Sequence, residues 1–399
     1  MSAQGRVEAP SQGADLQGEA PEGTLRDLLV SSYTPALGSG RAMRTYGIAR
    51  ALAAHRPLDL LYVPFGPAEP DQAFRSIPGI ELHEVRPSRG LARIGAYAKA
   101  LIGGVPPALA RAVSSELVRA AAELASDPKR GRVIADGPTA AAAMLGLTSR
   151  RPVIYNAHNL ESAFRHELQG TSAREHRMLE RFETRVLRRF AESWMVSDAD
   201  LAGARKMCQS AHLRYVPNVV DVSAIPPLQG AGEGSMRALF VASFSYEPNR
   251  VALSFLAEQI MPLVWASLPQ ARLAVVGPGL QGPLPEDPRI ELRGFVDDLR
   301  AEYERACCAV VPLLQGGGSP LKLIEALAYG MPVVATPRAA AGLALHDGLD
   351  CVIADGAQQF AGRLASVLSD GVPEIGAAAR RLAEQRYSIE TLAGLLAPS

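Results

Sequence analysis

Apolar runs of strand length alternate with longer segments of helical periodicity from Leu25 onward. The runs predicted to form a first sheet cover residues 27–33, 58–65, 80–85, 132–137, 152–159 and 192–197. The segments between them place apolar residues at helical spacing, as in residues 39–55. Strands that alternate with helices predict a parallel sheet covered by helices on both faces.

The same pattern begins again after a stretch rich in proline, glycine and serine. Residues 212–236 contain a short strand followed by that stretch, which predicts a domain boundary at about residues 222–236. The second series of predicted strands covers residues 237–243, 271–277, 289–294, 307–314, 332–336 and 350–355. A helical region rich in alanine, leucine and arginine follows from about Gly376.

The two series predict an α/β protein of two tandem, doubly wound Rossmann-like domains that face each other across a cleft. The predicted parts are a disordered tail (1–24), an N-terminal domain (25–222), a linker (223–236) and a C-terminal domain (237–399). The last helix is a candidate for packing back on the N-terminal domain. Because ligands of such sheets lie beyond the carboxyl ends of the strands, the cleft is the expected site.

The composition fits a globular protein and excludes some classes of function. Of the 399 residues, 48% are hydrophobic and 21% are charged, and the 41 basic residues balance the 41 acidic ones. A net charge of zero argues against a nucleic-acid partner. The four cysteines have no metal-ligand spacing and are interpreted as small buried residues in a reducing cytosol. With no apolar run of membrane-spanning length and no signal peptide, we predict a cytoplasmic protein.

Two segments repeat one plan, in which a strand ends, a glycine loop follows and a helix begins. In the first, Gly38 and Gly40 precede a helix whose first turn carries Arg41 and Arg44. Free backbone amides and guanidinium groups favour an anion there. A plain tight turn is the alternative interpretation.

The second segment runs from Gly316 through Gly317 and Gly318 to a helix predicted to start near Ser319 or Pro320. Bare glycine backbone lets a phosphate reach the amides, and Lys322 can neutralise its charge. Glu325 lies one turn further along nearly the same face and can accept two hydrogen bonds, as a ribose diol would offer. A surface glutamate beside a loop is the alternative.

His158 directly follows an apolar strand, where ligands meet such sheets, and is a candidate for a functional role, with a structural role as the alternative. Two other motifs are given structural interpretations. Prolines follow the GxGxxG of Gly277, Gly279 and Gly282, so no helix can present its amides to a dinucleotide. The Asp198-Ala199-Asp200 motif is interpreted as the first turn of a helix capped by Ser197, not as a metal site.

At this point the chain resembles a known family. The segment GGGSPLKLIEALAYGMPVVATPRAAAGL (316–343) is closely similar to the nucleotide-sugar signature of retaining glycosyltransferase family 4, of the GT-B fold. Residues 239–264 and 289–314 resemble the family's first C-terminal-domain strand and helix and the segment that cradles the base, and YVPNVVD (215–221) resembles its interdomain crossover. The similarity covers about residues 27–395 and is most specific between 237 and 345.

The resemblance implies roles for individual residues. Glu325 matches the acid that binds the ribose, and Gly294, Phe295 and Val296 match the loop that cradles the base. His158 matches a histidine near the transferred sugar. The residues that match or supply the phosphate and sugar contacts are Gly38, Gly40, Arg44, Gly317, Gly318, Ser319 and Arg250. Lys322 and His158 are the candidate catalytic residues.

Two departures from the family's pattern suggest a subfamily. Gly317 stands where many members have a second glutamate that contacts the donor sugar. Ser243 and Pro248 stand near the positions of an Arg/Lys pair that neutralises the diphosphate, which leaves Lys322, Arg250 and Arg44 as the available cations.

The resemblance therefore implies a metal- and cofactor-independent retaining glycosyltransferase. It would move a sugar from a nucleoside-diphosphate sugar, bound by the C-terminal domain, to a glycan or glycolipid acceptor, in cell-surface or exopolysaccharide synthesis. The alternatives are a non-catalytic sugar-nucleotide-binding relative and a nucleotide-sugar epimerase of the same fold.

Residues 88–121 mix Arg89, Arg93, Lys99 and Arg111 with apolar residues. An ordinary surface helix is the favoured interpretation. There are two alternatives. The segment could contact an anionic membrane surface at the inner membrane face, or it could line the acceptor cleft.

Overall fold

A computed structural model describes residues 25–65, 69–87, 89–163, 172–228, 232, 234–281, 286–316 and 318–398. The predicted tail (1–24), Gly282 and Gly317 lie outside the described residues. Among the described residues no helix combines the length and the apolar character needed to span a bilayer.

The first sheet has seven parallel strands in the order β3-β2-β1-β4-β5-β6-β7. They are β1 (Arg26–Ser31), β2 (Leu58–Tyr62), β3 (Ile80–Glu84), β4 (Arg130–Asp136), β5 (Ile154–Asn156), β6 (Glu192–Met195) and β7 (Leu213–Tyr215). The central strands are buried on both faces, which explains their continuous apolar sequences.

Helices cover both faces of this sheet. They are α1 (Gly40–Ala53), α2 (Gln72–Arg75), α3 (Gly90–Ile102), α4 (Pro107–Ala110), α5 (Ser115–Ser126), α6 (Gly137–Met144), α7 (Ala173–Arg189) and α8 (Asp198–Met207). Separate apolar clusters on the two faces, one containing Leu28 and Val30 and the other Leu29, show that alternate residues of β1 point to opposite sides.

The second sheet has six parallel strands in the order β10-β9-β8-β11-β12-β13. They are β8 (Arg237–Val241), β9 (Arg272–Val276), β10 (Ile290–Gly294), β11 (Cys308–Val311), β12 (Val333–Ala335) and β13 (Val352–Ile353). The described helices around it are α9 (Glu247–Phe255), α10 (Met261–Ser267), α11 (Leu299–Glu304), α12 (Leu321–Ala328), α13 (Pro337–Ala340), α14 (Gly356–Asp370) and α15 (Pro373–Arg386). A last helix, α16 (Ile389–Leu395), follows them. Each predicted apolar run therefore contains a strand, and the predicted α/β fold of two doubly wound units is confirmed.

Gly277, the first glycine of the GxGxxG motif, is required by packing between strands. Its φ is 136°, and a β-carbon built on it would lie 1.8 Å from the carbonyl oxygen of Ala242. Its amide donates to the carbonyl of Gly294, 2.7 Å away. This glycine thus lets the ends of β8, β9 and β10 approach one another.

The chain returns to the first sheet at its end. Ile389, Leu392 and Leu396 belong to the apolar cluster that packs around Leu29 and Ile48. The ring Nε2 of His55 lies 2.7 Å from the carbonyl oxygen of Ala393. Helix α16 therefore packs on α1 and ties the C-terminal residues to the first sheet.

The interdomain crossover packs so closely on Gly47 in α1 that a side chain there would clash with it. A β-carbon on Gly47 would lie 2.7 Å from Cγ2 of buried Val219, whereas Gly362 in α14 has no neighbouring atom within 4 Å of that position. Alanine normally stabilises a helix interior by about 0.5–1 kcal/mol over glycine. We expect Gly362→Ala to raise the free energy of unfolding by that amount and Gly47→Ala to lower it by about 1–3 kcal/mol, as overpacking does.

Denaturant unfolding of both variants measures these changes. Stabilisation by Gly47→Ala equal to that by Gly362→Ala would show that the contact with Val219 relaxes freely.

Candidate functional site

The glycine loop of the second sheet touches the loop after β5 of the first. A β-carbon on Gly318, whose φ is 72°, would lie 2.5 Å from Oδ1 of Asn159 and 3.5 Å from Cγ1 of Val196. The amide of Asn218 donates from Nδ2 to the carbonyl of Ser319 at 2.9 Å. The structure therefore brings the two predicted loops together, and the positive φ at 318 favours glycine there.

Gly40 stands at the same junction. A β-carbon built on it would lie 3.8 Å from Cδ1 of Leu321, the first residue of α12. Gly38 has a φ of 104° and is exposed, and Ser39 caps α1 by accepting from the amide of Ala42. The first glycine loop therefore faces the start of the helix that carries Lys322 and Glu325.

Beneath these loops the buried carboxylate of Asp136 collects donors from three segments. It accepts hydrogen bonds from Thr45 Oγ1 (2.7 Å), Asn156 Nδ2 (2.8 Å) and His158 Nε2 (2.9 Å). Burial by itself would raise the pKa of Asp136, but His158, Thr45 and Asn156 hold that pKa below its ordinary value. The group is thus an anion, and it fixes where His158 lies.

His158 is almost fully buried and presents one unused ring nitrogen. Because the Asp136 carboxylate accepts, Nε2 carries the proton and Nδ1 is left as an acceptor when the ring is neutral. Among the described residues Nδ1 has no hydrogen-bond partner. A β-carbon on Gly137, whose φ is 82°, would lie 2.9 Å from Cε1 of His158, so this glycine makes room for the ring.

Arg44, a predicted phosphate or sugar contact, is bound to other groups of the protein. Its side chain is buried and donates to Val216 O (3.0 Å), Asn218 Oδ1 (3.2 Å) and Asn156 Oδ1 (2.7 Å). Burial lowers its pKa to about 10, so it stays charged at neutral pH. As the structure places it, Arg44 joins the crossover at Val216 and Asn218 to the end of β5.

The glycine loop itself is followed by a helix without a side-chain cap. Gly316 has a φ of 123°, and its carbonyl accepts from the guanidinium of exposed Arg338, which lies in α13. Ser319 is buried, and its hydroxyl has no partner among the described side-chain and backbone groups. Helix α12 begins directly after Pro320, in agreement with the predicted start near Ser319 or Pro320. Pro320 makes no side-chain cap bond.

Lys322 is half-buried against α9. Its Nζ donates to Oδ1 of Asn249 and lies 5.2 Å from the centroid of the Phe240 ring. Desolvation lowers the pKa of Lys322 to about 7. At neutral pH this amine is therefore poised between its charged and uncharged forms, and a nearby anion would favour the charged one.

Glu325 is also half-buried, near the stacked rings of Tyr303 and Tyr329, whose centroids are 4.3 Å apart. Desolvation raises the pKa of Glu325 to about 7. Burial and, after it, the charge of Glu325 raise the pKa of both tyrosines. A carboxylate in such a place gains from a ligand that donates hydrogen bonds to it.

The predicted base loop lies at the end of β10. Gly294 has a φ of 64°, Phe295 is 72% exposed, and Val296 packs against the apolar core. Arg250 is exposed on α9 and donates to the carbonyl of Phe244 at 2.9 Å. It lines a surface groove with Glu247 and Leu314.

The interpretation of the Asp198-Ala199-Asp200 motif as a capped helix start is confirmed. Ser197 Oγ accepts from the amide of Asp200 at 3.1 Å. Asp200 Oδ1 in turn accepts from the amide of Leu160 at 3.0 Å, and Asp198 is exposed. The motif therefore helps to hold the loop that carries His158.

Within the described ranges, the metal-like group of acids and histidine is Asp59, Glu81 and His83. These residues lie on β2 and β3, and Asp59 is shared with the guanidinium groups of Arg26 and Arg130. Two arginines already compensate the charge of Asp59, so this cluster is an ion-pair network outside the cleft.

Sequence reasoning missed the polar partners that organise the site. Asp136, Asn156 and Asn218 end strands or occupy the crossover, and Asn249 and Arg338 flank the glycine loop. The position of Asp136 could have been recognised from the sequence, because it ends an apolar strand immediately before Gly137 and Pro138. The others are recognisable only once the strands lie side by side.

Residues 235–370 match the family model of the glycosyl transferases of group 1. No curated protein sequence matches the chain. The match covers β8 to α14, which includes the glycine loop, Lys322 and Glu325.

Three solved structures each match the fold of this chain over more than nine-tenths of its length. The Anabaena protein HepE in complex with UDP and glucose has a TM-score of 0.67 at 15% identity and covers 92% of this chain and 97% of its own. Sucrose-phosphate synthase from Thermosynechococcus elongatus has a TM-score of 0.69 at 15% identity, covering 93% and 97%. A variant of TarM from S. aureus, in complex with fondaparinux, alpha-GlcNAc-glycerol and UDP, has a TM-score of 0.61 at 10% identity, covering 93% and 98%. The fold is of the GT-B type.

The burial of Lys322 makes a prediction about stability and pH. Because its pKa in the folded protein is about 7 and its ordinary value is 10.5, the unfolded state binds more protons between these values. The wild-type free energy of unfolding therefore rises as pH rises from 7 to 10.5, and this gain is lost as pH falls back from 10.5 to 7. Lys322→Met removes the charge and keeps the apolar stem.

We expect Lys322→Met to be more stable relative to wild type at pH 6.5 than at pH 9.5. Denaturant unfolding of both proteins at the two pH values gives the difference. A difference that does not change with pH would show that the Lys322 amine is well solvated.

Proposed function

We propose that the chain, whose residues 235–370 are a glycosyl transferase domain of group 1, is a retaining glycosyltransferase that uses a nucleoside-diphosphate sugar. The acceptor is a glycan or a glycolipid, in cell-surface or exopolysaccharide synthesis. The observation that carries the proposal is the meeting of the Gly316–Gly318 loop with the loop of His158 and Asn159. A donor bound to the first of these loops lies beside the second.

The donor site is proposed to lie along α12. Bare backbone at Gly318 and the uncapped amides of α12 suit the diphosphate, and Lys322 supplies a cation when its pKa rises beside it. Glu325 would accept from the ribose hydroxyls, and the loop of Gly294, Phe295 and Val296 would hold the base. HepE and TarM were each solved with UDP, which supports uridine as the base.

Bond breaking in this reaction leaves charge on the diphosphate. The bond between the anomeric carbon and the diphosphate oxygen breaks, and the acceptor oxygen bonds to the anomeric carbon on the same face of the sugar. The proton of the acceptor hydroxyl passes to the departing diphosphate oxygen. Lys322 and the α12 amides stabilise the departing anion. Asp136 fixes the ring of His158, which is proposed to lie near the transferred sugar.

The roles of the remaining predicted residues follow from their positions. Gly38 and Gly40 would give the acceptor and the diphosphate close access to the start of α1. Arg44 acts by bracing these loops through Asn156 and Asn218. Arg250 and the exposed Arg338 are cations at the margin of the second unit, and Arg338 is the one that contacts the glycine loop. The proposed reaction needs no metal.

Peripheral binding to the inner membrane face is proposed for α3. Of its residues only Ala100 is buried, while Leu91, Ile94 and Ile102 are 86%, 63% and 89% exposed. The helix contains Arg93 and Lys99 and no acidic residue. An apolar and basic helix of this kind fits an anionic lipid surface, which would bring a lipid-linked acceptor to the cleft.

The role of Glu325 is tested by nucleotide binding. We expect Glu325→Ala to weaken the binding of UDP by about 1.5–3 kcal/mol, because hydrogen bonds to a charged acceptor are lost. Calorimetry at pH 8 is suitable because the carboxyl group, with a pKa of about 7, is then ionised. Exposed Glu374→Ala serves as the control. Equal UDP affinity of Glu325→Ala and wild type would remove Glu325 from the nucleotide site.

Membrane contact by α3 is tested with vesicles. We expect the wild type to float with vesicles containing phosphatidylglycerol and not with pure phosphatidylcholine. Leu91→Asp combined with Ile94→Asp should reduce the bound fraction at least about tenfold, because apolar area is lost and negative charge is added. Leu349→Asp, at a leucine 60% exposed in the second unit, is the control. Equal flotation of the α3 variant and wild type would contradict this contact.

A further inference from the structure

An aromatic pair, one ring half-buried and the other exposed, lies in the loops after β1 and β2 and has no part in the proposed donor site. Tyr33 and Phe65 lie edge to face, with ring centroids 5.7 Å apart and planes at 70°. Phe65 is 59% exposed. The amide of Thr34 donates to the carbonyl of Phe65 at 3.2 Å, which holds the two loops beside each other. The Phe65 ring is thus open to a ligand at this edge of the sheet.

The pair lies where a second substrate would meet the donor. Tyr33 follows β1 and Phe65 follows β2, and these strands pair in parallel, with Ser31 opposite Tyr62. Both rings are therefore at the carboxyl edge of the first sheet, the edge that also carries Gly40 beside Leu321. The donor residues lie on α12, across this junction.

The guanidinium of Arg41 lies against the ring of Tyr33. Arg41 donates from Nη1 to the hydroxyl of Tyr33 at 2.6 Å, and its guanidinium carbon lies 4.9 Å from the centroid of that ring. The Arg41 side chain is exposed, and the first turn of α1 contains no acidic residue to balance it. Arg41 thus offers a positioned guanidinium next to an apolar surface.

We propose that Tyr33, Phe65 and Arg41 form the acceptor subsite and that the acceptor is a saccharide carrying a negative charge. The C–H face of a sugar ring packs on the electron-rich face of an aromatic ring, and the guanidinium pairs with a carboxylate or phosphate on the same molecule. The proposal rests on the proposed glycosyltransferase function and specifies the acceptor of that site. A uronic acid and a sugar phosphate share the required chemistry.

The experiment is calorimetry on the full chain saturated with UDP, using three acceptor probes. They are an oligosaccharide containing glucuronic acid, glucose 1-phosphate, and maltotetraose as the neutral probe. The variants are Phe65→Ala, Phe65→Tyr as the conservative exchange, Arg41→Gln, and Arg381→Gln as a control at an exposed arginine of α15. Thermal unfolding of each variant verifies that it is folded.

We expect at least one anionic probe to bind more tightly than maltotetraose. Phe65→Ala should weaken that binding about tenfold or more, and Phe65→Tyr should largely retain it, because the stacked ring supplies the energy. Arg41→Gln should remove the preference for the anionic probe, and Arg381→Gln should change nothing. The stronger anionic probe then identifies the charged group as carboxylate or phosphate.

Two results would overturn the subsite. One is that UDP binds while neither anionic probe binds better than maltotetraose. The other is that Phe65→Ala and Arg41→Gln bind the probes as wild type does. Failure of UDP itself to bind would instead contradict the donor proposal, and the response of the probes to the variants would still decide the acceptor subsite.

Discussion

A buried carboxylate must be compensated by donors, and Asp136 is the place where this requirement organises the molecule. Its donors come from α1, from the end of β5 and from the loop after β5, so the charge ties three separate segments together. Removing one partner of such a buried arrangement typically destabilises a protein by about 3–5 kcal/mol. The buried guanidinium of Arg44 is joined to the same network through Asn156 and extends it to the crossover at Val216 and Asn218.

The consequence of this network is a rigid N-terminal wall for the cleft. His158 is held by its Nε2, and Asp200 and Glu183 hold the amides of Leu160 and Glu161 that follow it. On the opposite side, Gly318 lies beside Asn159, and the amide of Asn218 donates to the carbonyl of Ser319. The site therefore combines one firmly positioned loop with one built from backbone, which suits a reaction that depends on positioning and on the stabilisation of a leaving anion.

Much of the fold and part of the site could be predicted from the sequence. The strands were predictable because parallel strands buried on both faces are continuous apolar runs, as in β1 and β8. The capped start of α8 and the helix after Pro320 followed from local rules at Ser197 and Pro320. The task of Arg44 did not, because its partners Val216 and Asn218 lie far along the chain, and an arginine in a first helical turn has the same local sequence whether it faces inward or outward. For the same reason the Asp136 network and the contact between Lys322 and Asn249 could be found only in three dimensions.

Asp136 acts on the proposed reaction by fixing His158, and a double-mutant cycle distinguishes this role from an independent one. Asp136→Asn, His158→Ala and the double variant are compared in their kcat for release of UDP from the UDP-sugar that the wild type uses best. If Asp136 works by fixing His158, each single variant loses activity and the double variant is no worse than His158→Ala alone, while UDP affinity is unchanged. Losses that multiply in the double variant would show that the two residues act independently and would contradict the account.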